Sequence, residues 1–400
     1  MKILQVTPYF YPSSRGQELY AFTLAKSLVR LGHKVDILTI NTENVEKQGT
    51  LWGSTTIYRC PKHLGYQRWV FSLSFVKNLI GKKDYDVCHI QIPFQGGLET
   101  SILASKINDI PLVASHHGQC LEGSASYALL ITLYDVFYRK FSLRYIDRII
   151  FFTHSYAKSL QLDDAIKKRM RIVRPGIDVD KFFARYDASY LRERLDLDDE
   201  DRVILHIGSL PLYNRFRNID LLISALQKVK KKIPKSKIVV VGGGELVNEL
   251  KRIANQLRLE QDVVFTGHVN SEEIAPFYSL CDVYVQPSSF ESFGYSVLEA
   301  MASEKPVIVA NVAGMKDNVE HGKTGLLVPP KNIDALANAI IYLLENETLR
   351  TKMGENARMR ALDYSIDRMT IETTNVFKEA IQEHMYRRRL PQMRGNLYLS

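Results

Sequence analysis

The feature that most constrains this chain is a strand–loop–helix rhythm that starts at the first residues and restarts after residue 200. Residues 2–7 read as a buried strand, and 17–31 as a helix with Ala21, Leu24, Leu28 and Leu31 on one face. Gly32 ends that helix and Val35–Ile40 begins the next strand. Further strands fit 86–92, 111–116 and 147–153. In the second half, strands fit 203–208, 237–241, 262–267, 282–286 and 306–309, with helices at 218–233 and 245–258. Alternation of this kind implies a parallel sheet covered by helices. Two such runs predict an α/β chain of two Rossmann-like domains, with parallel sheets facing across a cleft and ligands at the carboxyl ends of the strands. The Pro-Gly turn in Arg174-Pro-Gly-Ile-Asp178 puts the boundary near Pro175, with an acidic solvated run, Leu195–Asp201, inside the second half.

At 400 residues the chain is long enough for two or three ordinary cores. Cys60, Cys88, Cys120 and Cys281 are scattered, which argues against a zinc site or disulfide framework and fits a reducing cytosol. No cleavable signal is visible, and no apolar run approaches the ~18–20 residues of a membrane-spanning helix. The net charge of +9 suggests an anionic partner: nucleic acid, an acidic membrane surface or phosphorylated small molecules. Four arginines, Arg387, Arg388, Arg389 and Arg394, stand near the end without an acid between them.

The most informative stretch runs from Cys281 to Ala302. A strand ends at Pro287, a polar loop follows, and a helix begins near Phe293-Gly294. First-turn N–H groups lack intrahelical partners and carry partial positive charge, which suits a diphosphate. Glu291 precedes the helix and Glu299 lies inside it, placing the carboxylates roughly 9–12 Å apart at 1.5 Å rise per residue. That suits an extended ligand and exceeds the about 5–5.5 Å of a retaining glycosidase pair. On spacing alone, a capping acid with a second acid by chance fits as well.

With Pro287-Ser288, Glu291-Ser-Phe-Gly-Tyr-Ser-Val-Leu-Glu299 and Ala300-Met-Ala302, continued by Lys305-Pro-Val-Ile-Val309 and Gly325–Pro330, the chain resembles family-4 glycosyltransferases of the GT-B fold. The resemblance implies that Glu291 contacts the donor sugar hydroxyls, that Glu299 binds the ribose, and that amides from Ser292 and Phe293-Gly294-Tyr295-Ser296 hold the diphosphate. It also implies domains at 1–175 and 176–364, a helix at about 365–390 packed back on the first domain, and a basic tail at 391–400.

Other segments acquire roles from the same resemblance. Pro8–Gly16 forms the first strand-to-helix loop, where Gly16 lets backbone N–H groups approach a phosphate. The family has two glycines here and this chain has Arg15-Gly16, so Arg15 either adds a phosphate contact or narrows the site. His117, in Ser115-His-His-Gly118, faces the reacting sugar. His116 lines the strand end or the acceptor side, and His89 is structural or at the cleft edge. In the Leu205–Asp220 segment the family shows Gly-Arg and then Lys-Gly, two cations that stabilise the departing diphosphate. This chain has Gly208-Ser209 and Arg217-Asn218, so Arg217 keeps one charge, and Arg215 either replaces the other or is a solvated loop residue. The Val241-Gly-Gly-Gly-Glu245 turn either lines the donor site or packs tightly. The backbone around Val269 meets the nucleobase.

The expected activity is retaining transfer of a sugar from a nucleotide diphosphate sugar to a hydroxyl acceptor, in a glycolipid, lipid-linked saccharide or polysaccharide precursor. No cofactor, no metal and no nucleic acid is expected. The expected location is the cytoplasm, with peripheral attachment to an anionic inner membrane face. Tyr66–Lys83, with Trp69, Leu73, Val76 and Ile80 along one helical face, reads as a core helix of the first domain ahead of a membrane-surface helix. Two alternatives remain: a sugar-nucleotide 2-epimerase of the same fold, and a non-catalytic GT-B subunit.

Overall fold

The computed structural model describes residues 1–11, 16–41, 48–52, 55–62, 64–66, 69–118, 137–138, 141–183 and 186–396. Arg15 and Cys120 lie outside them. The chain divides into two compact units, Met1–Gly176 with Ile366–Ser400, and Ile177–Ser365.

The strands of the first unit are β1 (Lys2–Thr7), β2 (Lys34–Asn41), β3 (Gln48–Leu51), β4 (Thr55–Pro61), β5 (Leu64–Tyr66), β6 (Trp69–Phe71), β7 (Val87–Ile92), β8 (Leu112–His116), β9 (Arg148–Phe151) and β10 (Met170–Ile172). Eight of them form one sheet in the order β10-β9-β8-β7-β1-β2-β4-β3, while β5 and β6 pair separately. The sheet is parallel except where β3 runs antiparallel to β4. Strands buried on both faces need no polar alternation, and β7 is buried along its whole length. The Gly16–Arg30 helix stops at Gly32, whose φ is +81°. There His33 N–H donates to Leu28 O at 3.1 Å and Gly32 N–H to Val29 O at 2.9 Å, a Schellman pattern.

The Ile366–Asn396 helix belongs to this unit, packing on the Gly16–Arg30 helix and on β7 and β8 through buried Met369, Val376, Phe377 and Ala380. It continues through the stretch expected as a free basic tail. Arg387 pairs with Asp147 at 3.0 Å and Arg388 with Asp109 at 2.5 Å, so these two cations are engaged by the protein itself. The expected helix over 66–83 is also shorter than its pattern suggested. Trp69 falls in β6, and the helix is Leu73–Ile80, capped by Ser72 Oγ accepting from Phe75 N–H. Its buried face carries Phe75 and Leu79, while Leu73 is 65% exposed. A cap shifts the register of a short helix more readily than an apolar count reveals.

The second unit contains β11 (Arg202–Ile207), β12 (Ser236–Val241), β13 (Val263–Gly267), β14 (Val283–Gln286), β15 (Val307–Ala310) and β16 (Gly325–Val328). All run parallel in the order β13-β12-β11-β14-β15-β16. The strand order reverses between β11 and β14, and ligands of open α/β sheets bind beyond the strand carboxyl ends at such a reversal. In the first unit the reversal falls between β1 and β7. One face of the second sheet is filled by Ile204, Ile238, Val240, Val283, Val285 and Ile308 against Leu222, Leu226, Ile340 and Leu343 of its helices, all fully buried.

Candidate active site

At the second unit's reversal, β11 runs out into Gly208 and β14 into the loop before the Tyr295–Ala302 helix. The helix starts later than its sequence suggested, with Gly294 as N-cap at φ +88°. At that φ a glycine is favoured by conformation, and a Cβ on Gly294 would also press on the Met315 side-chain end, 2.3 Å from Cε.

Two loops are tied together here. Ser289 N–H donates to Phe216 O at 2.7 Å, and Asn218 Nδ2 donates to Pro287 O at 2.9 Å. Asn218 sits at φ +54°, in the left-handed region. Asn is among the few side chains that adopt it at low cost, which explains how Arg217-Asn218 replaces the expected Lys-Gly.

These ties carry Arg217 to the end of β11. A Cβ on Gly208 would lie 2.9 Å from Arg217 Nη1 and 3.2 Å from His206 Nε2, so all three groups converge. Arg217 Nε is buried without a hydrogen-bond partner, and so is His206 Nε2. His206 Nδ1 lies 2.9 Å from Val285 O, which requires it to donate and leaves a lone pair on Nε2. Burial first, and then the Arg217 charge, push His206 down to about 3, so the ring is neutral. A buried N–H without an acceptor is costly, and a guanidinium so placed suits an anionic ligand.

Glu291 faces the same point. Burial raises its pKa, opposed by the Arg217 charge, by N–H groups of Phe293 and Ser292, and by Gln286. The Phe293 and Ser292 amides are thus directed to Glu291. Gln286 Nε2 donates to Ser288 Oγ at 2.9 Å and lies 3.4 Å from Glu291 Oε2. The Tyr284 hydroxyl lies 2.9 Å from Gln286 Oε1 and 2.8 Å from Ser296 Oγ, linking the strand to the first helical turn.

Glu299 is buried on the helix and accepts from the Tyr278 hydroxyl at 2.7 Å. Burial raises its pKa against the pull of Tyr278 and Lys181. A carboxyl raised in the folded state releases its proton more readily when unfolded, so stability falls as pH rises past the ordinary carboxylate range. Glu299→Gln is expected to melt above wild type at pH 8, with the difference closing on acidification to pH 4. Melting curves across pH check this, and a variant that melts lower at pH 8 would contradict it.

Arg215 does not join the cluster. It forms a two-point pair with Glu249 at 2.6 Å and 2.6 Å, which also holds its pKa up. Ser209 is exposed and meets the Asn214 amide at 3.2 Å, so no second cation stands at that position among the described residues. The glycine turn packs tightly: a Cβ on Gly242 would fall 2.0 Å from Gly208 O, and one on Gly244 2.1 Å from Leu210 C. Val269 lies just past β13, next to His268, whose N–H is 3.4 Å from a Cβ built on Gly243.

In the first unit, His117 follows β8 and is half-buried, with Nε2 2.7 Å from Gln91 Oε1. Tyr20 and Phe152 meet its ring edge-on at 5.0 and 4.9 Å. His116 is buried and stacks on Phe151 at 4.9 Å, and its Nδ1 accepts from Gly118 N–H at 3.1 Å. His89 is wholly buried and pushed down to about 3 by that burial, which makes it a core residue. Gly16 is the first residue of its helix.

Residues 14–181 match the family described as Glycosyltransferase Family 4, and residues 188–360 match Glycosyl transferases group 1. The alpha-monoglucosyldiacylglycerol synthase of Streptococcus pneumoniae is 30% identical over 319 residues, covering 77% of this chain and 70% of that protein. The chain is a family-4 glycosyltransferase. An uncharacterized glycosyltransferase of Methanocaldococcus jannaschii is 28% identical across 96% of this chain and 99% of its own length. Among solved structures, sucrose-phosphate synthase from Thermosynechococcus elongatus superposes with a TM-score of 0.76 at 22% identity, covering 96% of this chain and all of that one. Anabaena HepE in complex with UDP gives 0.75 at 21% identity, over 95% of this chain and 100% of its own. These likenesses establish the GT-B fold.

His206, Gln286 and Gln91 were not singled out by the sequence reading. Their signal was a polar residue inside an otherwise apolar parallel strand, as in Val203-Ile-Leu-His-Ile207, Val283-Tyr-Val-Gln286 and Val87-Cys-His-Ile-Gln-Ile92. Burying such a group costs free energy unless it is hydrogen-bonded.

Proposed function

We propose that this glycosyltransferase moves a sugar from a nucleotide diphosphate sugar to a hydroxyl acceptor with retention of configuration. The observation that carries the reading is Arg217. Its guanidinium lies beside Gly208 with Nε buried and unbonded, and Glu291 faces it at the foot of a helix. A diphosphate leaving group would give that N–H its acceptor. Arg217 and the helix N-terminus stabilise charge on the departing β-phosphate, Glu291 orients the donor sugar through its hydroxyls, and Glu299 takes the ribose. His117 hydrogen-bonds the transferred sugar. The acceptor attacks on the face the leaving group departs from, with the β-phosphate as proton acceptor, so no side-chain base and no metal is invoked.

The proposed acceptor is lipid-linked. Relatives support this by name, the diacylglycerol glycoside synthase above and a GDP-mannose-dependent phosphatidylinositol monomannoside mannosyltransferase of Mycolicibacterium smegmatis, 32% identical over 197 residues. Among the described residues no helix is long and apolar enough to cross a membrane, so we propose attachment at an anionic lipid surface. With Arg387 and Arg388 already paired, that attachment cannot rest on them alone.

The test is a thermal-shift panel of UDP-, GDP- and ADP-sugars, followed by turnover with the best binder and assignment of the product anomer by NMR. Retention of the donor's configuration is expected. An inverted product would overturn the mechanism. A donor epimerised in the absence of acceptor would favour the 2-epimerase, and no donor binding would favour a non-catalytic subunit.

A further inference from the structure

A chain of polar side chains crosses the middle of the first unit's sheet. Tyr20, His89, Gln91 and Ser115 are each at most 1% exposed. The Tyr20 hydroxyl lies 3.3 Å from Ser115 Oγ, and Ser115 Oγ lies 2.8 Å from His89 Nε2. The Gln91 amide nitrogen lies against the His89 ring, 3.4 Å from Nδ1 and 3.5 Å from Nε2, and Gln91 Oε1 lies 2.7 Å from His117 Nε2. Stability alone does not call for this chain. The neighbouring positions Ile90, Ile92, Val113 and Ala114 are equally buried and apolar. At His117 the polar run reaches a half-buried position.

The direction of these bonds follows from chemistry. His89 is neutral in its buried setting, so its ring takes the Gln91 N–H against its face in preference to the amide oxygen. That turns the amide oxygen toward His117. An amide oxygen can only accept, so His117 Nε2 must donate, and in the neutral ring the lone pair is then on Nδ1. Tyr20 and Phe152, edge-on to the His117 ring, limit its rotation.

We infer that Gln91 is a positioning residue that fixes His117 as its Nε2–H tautomer, leaving Nδ1 as the nitrogen that accepts a hydrogen bond from a substrate hydroxyl. The second half of this inference rests on the proposed contact of His117 with the transferred sugar; the first half stands without it. Outer partners that orient a functional histidine are worth about 10–100-fold in activity where they have been removed.

The experiment uses the full chain labelled with 15N-histidine, with the His117 signals identified by their loss in His117→Ala. Long-range proton–nitrogen correlations of the wild type at neutral pH are expected to show Nε2–H. Gln91→Met keeps the volume and removes the acceptor, so His117 is expected to shift toward mixed tautomers. Its kcat should fall about 10-fold, and the KM for donor should rise, because the hydrogen bond to the sugar is already made in the bound donor. Gln91→Glu, which restores an acceptor, is expected to recover part of kcat. An Nδ1–H tautomer in the wild type overturns the inference even if neither variant folds. So does a Gln91→Met protein with unchanged tautomer and unchanged kcat. A fully active His117→Ala beside an Nε2–H wild type would instead overturn the sugar contact and leave the link from Gln91 to His117 standing.

Discussion

Arg217→Ala is expected to lower sugar transfer by about 10²–10³-fold, the cost of removing one preorganised group that meets transition-state charge, about 2.7–4 kcal/mol. Folding should survive, because Arg217 is only half-buried and its Nε already lacks a partner. Losing the guanidinium removes the charge that lowers the buried Glu291 carboxyl, which then protonates more readily, so the melting temperature should change little. Arg215→Ala is the control. Its partner Glu249 is on the surface of the same unit, and an exposed pair of this kind contributes under about 1 kcal/mol. Its turnover should stay within a few-fold of wild type. The measurement is kcat for the best donor, with melting curves for both variants. Equal losses in the two would mean that Arg215 leaves Glu249 to serve the phosphate, and near-normal rates in Arg217→Ala would remove the guanidinium from the mechanism.

Gly242→Ala is the second large effect, on stability. Gly242 has φ +138°, and a Cβ there would meet the carbonyl oxygen of Gly208 at 2.0 Å. Both atoms belong to backbone held by the sheet, since Gly208 N–H donates to Val241 O at 2.9 Å and Gly242 N–H to Gly267 O at 2.9 Å. Neither side can yield as a flexible side chain would. Overpacking of this kind costs about 3 kcal/mol, or roughly 6–12 °C for a unit of this size. Gly243→Ala, one residue on, is the internal comparison. Its nearest neighbour would be His268 N at 3.4 Å, which is ordinary contact, and its melting point should move little. Similar melting of the two variants would show that the turn relaxes and does not brace the Gly208–Leu210 segment.

Much of the architecture was readable because its signals are local. Runs such as Ile238-Val-Val-Val241 are apolar at every residue, as strands buried on both faces must be, and Gly32 or Gly294 marks a positive φ that no interior residue prefers. The edge strands β3 to β6 were not readable. β3, β5 and β6 have four, three and three residues, too few to show an alternation, and each pairs with its neighbour in sequence. The Leu73–Ile80 helix was misjudged for a related reason. Its register is fixed by the Ser72 cap, so Phe75 and Leu79 turn inward in place of Leu73 and Val76.

The same division holds at the site. Glu291, Glu299 and Gly294 stand out by spacing and residue type, and the sequence by itself determined which loop and helix carry them. Which arginine faces them was a tertiary matter. Arg215 and Arg217 are two residues apart and chemically identical, yet one turns outward to Glu249 and the other lies beside Gly208. That choice depends on Ser289 and Asn218, whose bonds to Phe216 O and Pro287 O join segments about seventy residues apart in sequence. Charge alone is visible in a sequence. Whether a charge is neutralised depends on what the fold places within a few ångströms of it, and only the assembled unit supplies that distance.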